Sequence, residues 1–277
     1  MGSALVTGST DGIGRQIAMD LATMGYLVLV HGRDAARVDA VATDIIAAGG
    51  TAEPLVANFE RLPDVTNAAY AVADRLADSG LDVLINNAGT FAPERGETDD
   101  GHEITWQVNH LAPSLLTDLL LDTAAQARGR VVFVSAALHA HATLDLDDAE
   151  FVARPYNAMA AYGQSKLAAA LMTRETARRL GPDAPVTVNA ADPGVVGTKL
   201  LHAAAGISGK DPLTTGSHAS VAVATDESMA GVTGSYVEKG VIKPFRGRAK
   251  DDALASRLYE DTCAVLGVPG LPDPAGP

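Results

Sequence analysis

The chain has 277 residues, 47% of them hydrophobic, with 34 acidic against 21 basic side chains and a formal charge of −13. That apolar content suffices for a core covered on both faces, and the negative balance excludes a nucleic-acid or anionic-membrane partner by repelling phosphates. Cys263 is the only cysteine, so no intramolecular disulfide forms. An apolar run starts at Ala4 without a basic, apolar leader, and none approaches the roughly 20 residues that span a bilayer, so the expectation is a cytoplasmic protein without a membrane span.

In chain order, strands are predicted at Ala4 to Thr7, Tyr26 to Val30, Pro54 to Ala57, Val83 to Asn86, Val131 to Ser135, Val186 to Ala190 and near Ser235 to Glu238. Helical patterns fall between them, at Gly14 to Met24, Ala35 to Ala48, Val65 to Asp78, His102 to Ala127 and Ala160 to Leu180. The alternation predicts an α/β fold: one Rossmann-type, doubly wound parallel sheet of about seven strands with helices on both faces. One catalytic domain is expected over residues 1–268, with a flexible tail at 269–277, where Pro and Gly cannot continue a helix. The long helices 102–127 and 160–180 are candidates for pairing across a homo-oligomer axis.

After the first strand comes Thr7-Gly8-Ser9-Thr10-Asp11-Gly12-Ile13-Gly14. Its glycines allow a tight turn, close approach to a pyrophosphate and packing of the next helix, whose amino terminus then faces the anion. The second strand runs into His31-Gly32-Arg33-Asp34. A basic side chain at that tip accepts a ribose 2′-phosphate, so Arg33 favours NADPH over NADH, although Asp11 places a negative charge in the turn. Further on, Tyr162 and Lys166 stand four residues apart in Ala-Tyr-Gly-Gln-Ser-Lys. On a helix they share a face, and an ammonium beside the phenol is expected to lower its pKa and make it a proton donor to a carbonyl. No metal site is expected.

These motifs, in this order, resemble the short-chain dehydrogenase/reductase family over nearly the whole chain. Thr7 to Gly14 matches its T-G-x-x-x-G-I-G, Asn86-Asn87-Ala88-Gly89 its N-N-A-G, Asn109 its helix asparagine, and Tyr162 with Lys166 its active pair. The stretch between the fifth strand and Tyr162, with Ser165-Lys166-Leu167-Ala168 after it, is similar to the retinol-dehydrogenase-like branch. The resemblance implies that Ser9, Thr10 and Ile13 join the glycines at the cofactor, that Asn86, Ala88 and Gly89 hold its adenosine side, and that Asn58 and Phe59 border the adenine. It places the nicotinamide beside Pro193, Gly194 and Val196, with Thr198 at its carboxamide, and a mobile lid at about 200–217. Asn109 would hold a water linking Lys166 to solvent.

One departure matters. Where the family carries a V-S-S-x-A-H pattern, this chain reads Val134-Ser135-Ala136-Ala137-Leu138-His139, so Ala136 stands at the catalytic serine position. Ser135 matches the first serine, and because successive strand residues face opposite ways it takes over only if the strand end is bulged. Losing one oxyanion donor costs roughly 2.7–4 kcal/mol, about 10²–10³ in rate. Candidate substitutes are His139 and His141, then Thr143 and Tyr156, or a donor on the substrate itself. Two functions follow: an NADPH-dependent reductase of a small to medium apolar carbonyl, or a non-redox cyclase, dehydratase, isomerase or cofactor-binding protein on the same scaffold.

Overall fold

The computed structural model describes residues 1–197, 202, 209 and 211–274. An eight-stranded sheet in the order β3-β2-β1-β4-β5-β6-β7-β8 organises them. The strands are β1 (Ser3–Val6), β2 (Leu27–Gly32), β3 (Thr51–Val56), β4 (Val83–Asn86), β5 (Arg130–Val134), β6 (Thr187–Asp192), β7 (Tyr236–Glu238) and β8 (Val241–Lys243). All pair in parallel except β8, which runs antiparallel to β7 through a hairpin that the sequence reading did not anticipate. The helices are α1 (Gly12–Thr23), α2 (Ala35–Ala47), α3 (Leu62–Arg75), α4 (Ile104–Trp106), α5 (Ala112–Gln126), α6 (Ala158–Leu180), α7 (Leu213–Thr225) and α8 (Asp252–Leu266). Order reverses at β1, so the carboxyl ends of β1 and β4 open a crevice at the topological switch point.

Strand alternation sorts the core into two layers. Ala4, Val6, Val132 and Val134 pack with α1, α2 and α7, while Leu5, Val131 and Phe133 pack with α3 and α5. Leu5, Leu84 and Ile85 are almost wholly buried, each worth about 1.5–3 kcal/mol relative to exposure.

The helix expected over 102–127 is interrupted. Gln107–Leu111 forms a π-turn centred on Asn109, which frees the Asn109 side chain from the regular helical ladder. α8 packs on α6, with Leu167 and Leu171 clustered against Leu254 and Leu258. The start of the tail is also tied down: Arg178 pairs with Asp273 at 2.8 Å, Arg179 donates to the Leu271 carbonyl, and Leu271 donates to the Tyr259 hydroxyl. Among the described residues, no helix is long and apolar enough to cross a membrane.

Candidate active site

A cleft of about 740 Å³ opens over the carboxyl ends of the central strands. One wall is the turn after β1. Gly8 has φ +64° and Gly12 φ +55°, and a Cβ on Gly14 would stand 2.3 Å from the Gly8 carbonyl oxygen and 2.4 Å from Asn87 Nδ2. Only glycine fits there. Asp11 caps α1 by accepting from the Gly12 N–H at 2.8 Å. His31 braces the same turn from β2, its Nδ1 accepting from the Gly8 N–H at 3.0 Å, and burial holds this imidazole neutral by lowering its pKa to about 4. The turn, the helix amino terminus behind it and the size of the cleft fit a dinucleotide.

At the far end, Arg33 is 70% exposed and paired with Glu60 at 2.6 Å, a surface ion pair worth about 0–1 kcal/mol that yields readily to a better anion. A second arginine stands beside it. Arg37, in the first turn of α2, reaches Asp11 Oδ2 at 3.2 Å and lines the same cleft. Its position four residues after Arg33, on a helix starting at the strand tip, is the signal that the sequence reading passed over.

The other end holds the tyrosine and the lysine. Both lie on α6 and line the cleft, with Lys166 Nζ 5.4 Å from the Tyr162 ring centroid and donating to the Val134 carbonyl at 2.9 Å. The expected fall in the phenol pKa is not observed. Burial, reinforced by Asp192, pushes Tyr162 up to about 12, while burial lowers Lys166 to about 8 against the pull of Asp192. Desolvation penalises the charged forms of both groups. The phenol is therefore a neutral acid that retains its proton.

Other expected residues divide by strand alternation. Thr10, Ile13, Asn58, Phe59, Ala88, Gly89, Pro193, Gly194 and Val196 line the cleft. Ser9 and Asn86 do not: Ser9 Oγ bonds the His31 backbone, and Asn86 Nδ2 donates to Thr117 Oγ1 of α5 at 2.9 Å. Asn87, one residue on and so on the opposite face, lines the cleft and donates to the Thr7 carbonyl at 2.8 Å. Asn109 stands behind the cleft, bonded to the Thr90 backbone and to Ser165 Oγ at 3.1 Å, where it joins the loop after β4 to α6. Thr198 and half of the expected lid lie outside the described residues.

Of the proposed substitutes for the missing serine, Ser135 borders the cleft and the others do not. Ser135 Oγ donates to the Lys166 carbonyl at 3.0 Å, turned into α6 as alternation requires. His139 is buried beneath Tyr236, ring centroids 4.5 Å apart, with Nδ1 on the Ala136 carbonyl. His141 and Thr143 are exposed and outside the lining, and the Tyr156 hydroxyl shares its one proton between the Ala92 carbonyl at 3.0 Å and the Glu103 carboxylate at 3.1 Å. Ala136 itself faces the cleft, in extended backbone. Lys239 also lines the cleft and pairs with Asp211 at 3.0 Å.

Comparison with known proteins agrees with this geometry. The family model for short chain dehydrogenase matches residues 3–206. The chain belongs to this family. Short-chain dehydrogenases are oxidoreductases acting on alcohol and carbonyl groups. Among individual relatives, human retinol dehydrogenase 13 is 34% identical over 286 residues, covering 96% of this chain and 85% of that protein. An uncharacterized protein from Mycobacterium Paratuberculosis is 30% identical with a TM-score of 0.80, over 98% of this chain and 95% of that one. The landomycin C-6 ketoreductase LanV, solved with bound NADP and rabelomycin, is 27% identical with a TM-score of 0.66, over 86% of this chain and 95% of that one.

Proposed function

We propose that this short-chain dehydrogenase reduces a carbonyl on a small to medium apolar molecule with NADPH. The observation that carries the reading is the meeting, in one cleft, of the Gly8 to Gly14 turn, two arginines at one end and the Tyr162–Lys166 pair at the other. When bound, the dihydronicotinamide supplies the hydride. Tyr162 gives its proton to the carbonyl oxygen, a role suited to a phenol that stays neutral up to about 12. Lys166, as an ammonium anchored on Val134, orients the ribose and stabilises the phenolate left behind. Asn109 ties Ser165, and so α6, to the loop after β4, which keeps the pair in place. An apolar substrate is supported by Leu138, Met159 and Val195, which line the cleft and stay partly exposed. The name retinol dehydrogenase on a relative and the ketoreductase structure with NADP support the same class.

A screen of carbonyl compounds with purified protein, following NADPH absorbance, tests the proposal. Ala136 favours the non-redox alternative, since among the described residues no neighbouring side chain replaces the missing hydroxyl, and consumption of substrate without cofactor oxidation would select that alternative.

Cofactor choice gives a second expectation. Arg33 and Arg37 together make a two-pronged site for a 2′-phosphate, so Arg33→Asp or Arg37→Ala should each weaken NADPH by about tenfold, the scale of one charge-assisted hydrogen bond. NADH affinity should change little. Equal affinity of the unmodified protein for both cofactors, by calorimetric titration, would remove the assignment.

The pH profile gives a third. Lys166 is charged below its pKa of about 8 and loses its proton above it, whereas Tyr162 holds its own. kcat/KM for reduction should thus fall as pH rises through about 8 in the free enzyme. A flat profile across that range would show that the ammonium is not needed.

A further inference from the structure

Asp192 closes β6 and is 2% exposed, yet the reaction described above gives it no task. Its carboxylate accepts two hydrogen bonds: Oδ1 from the Gly194 N–H at 2.8 Å and Oδ2 from the Tyr236 hydroxyl at 2.5 Å. It lines the cleft together with Tyr162 and Lys166, and its charge acts on both. Register explains the meeting. Val134, which receives Lys166 Nζ, pairs across the sheet with Ala191, the residue before Asp192.

Chemistry fixes which end of the cofactor faces this carboxylate. The proton donor and the hydride donor must both reach one carbonyl, so the reacting ring lies at the Tyr162 end, and the arginines take the phosphate end. A dihydronicotinamide ring is neutral, and on giving up its hydride it becomes a pyridinium cation. A buried negative charge held rigidly beside it favours the cation, and burial strengthens the effect. Lys239, across the turn, donates its backbone N–H to the Asp192 carbonyl at 3.4 Å and has its side-chain partner in Asp211.

We propose that Asp192, positioned by Tyr236, sets the preference of this site between the oxidised and reduced cofactor by stabilising the nicotinamide cation. The inference rests on the reading of the cleft as an NADP(H) site. It makes Asp192 a specificity-determining residue for cofactor oxidation state.

The test is calorimetric titration of the full chain with NADP⁺ and with NADPH, read as the ratio of the two dissociation constants. Asp192→Asn keeps the size and a hydrogen-bond acceptor but removes the charge, and should shift that ratio about tenfold towards NADPH. Tyr236→Phe removes a donor that spreads the carboxylate charge, and should shift the ratio about twofold the other way, towards NADP⁺. Structural damage would instead weaken both forms alike. An unchanged ratio in a folded Asp192→Asn protein overturns the proposal while leaving the cofactor site intact. If that variant does not fold, Tyr236→Phe decides alone, and no shift or a shift towards NADPH overturns it. Failure of the unmodified protein to bind either form would remove the cofactor reading itself.

Discussion

Tyr162→Phe is expected to lower kcat for carbonyl reduction by about 10²–10⁴, the usual contribution of a general acid. The dissociation constant for NADPH should stay within about threefold, because a loss of kcat at constant affinity marks an interaction made only as the reaction proceeds. The phenyl ring keeps its packing, including the edge contact with Phe91 at 6.1 Å, so only the proton donor is removed. Single-turnover oxidation of NADPH beside a binding titration separates the two quantities. Full activity in the variant would mean that another acid operates. His139 does not qualify, since it is buried beneath Tyr236 and absent from the cleft lining.

Ala136→Ser is expected to raise carbonyl reduction by up to about 10², the contribution of one oxyanion donor. The position accepts serine without backbone strain, as Ala136 has φ −158° and faces the cleft. Ser135 leaves the role open because its hydroxyl is spent on the Lys166 carbonyl. Rates on a ketone panel, measured side by side for the unmodified and serine proteins, read the effect. If the alanine instead makes room for a bulkier substrate, the native activity stays flat or falls, and reduction of small ketones appears as a new property. A serine variant inert towards every carbonyl, beside a parent that never oxidises NADPH, would sink the reductase assignment.

The sequence by itself determined the features that depend on neighbours along the chain. Short apolar runs alternating with helical patterns were enough to place β1 to β7 and to predict a doubly wound sheet, though not β8. The glycines of the first turn were legible because a tight turn admits no Cβ, and the Tyr162 and Lys166 spacing because a helix repeats within four residues. Alternation also held the means to separate Asn86 from Asn87 and to point the Ser135 hydroxyl at α6.

Only the tertiary structure decided what depends on burial and on contacts between distant segments. Tyr162 keeps its proton because the whole fold desolvates it and Asp192 adds a negative charge nearby. Asp192 and Tyr236 are 44 residues apart in sequence, and only the parallel pairing of β6 with β7 brings them together. The loop after β5 buries His139 under Tyr236 and Phe245, whereas its sequence reads like a polar wall of a pocket. The last helix covers α6 and the start of the tail is tied to Arg178 and Arg179, although the tail's own Pro and Gly content predicts a loose end. Local pattern specifies how each segment is shaped, and the desolvation and charge that set its chemistry arise only when the segments pack.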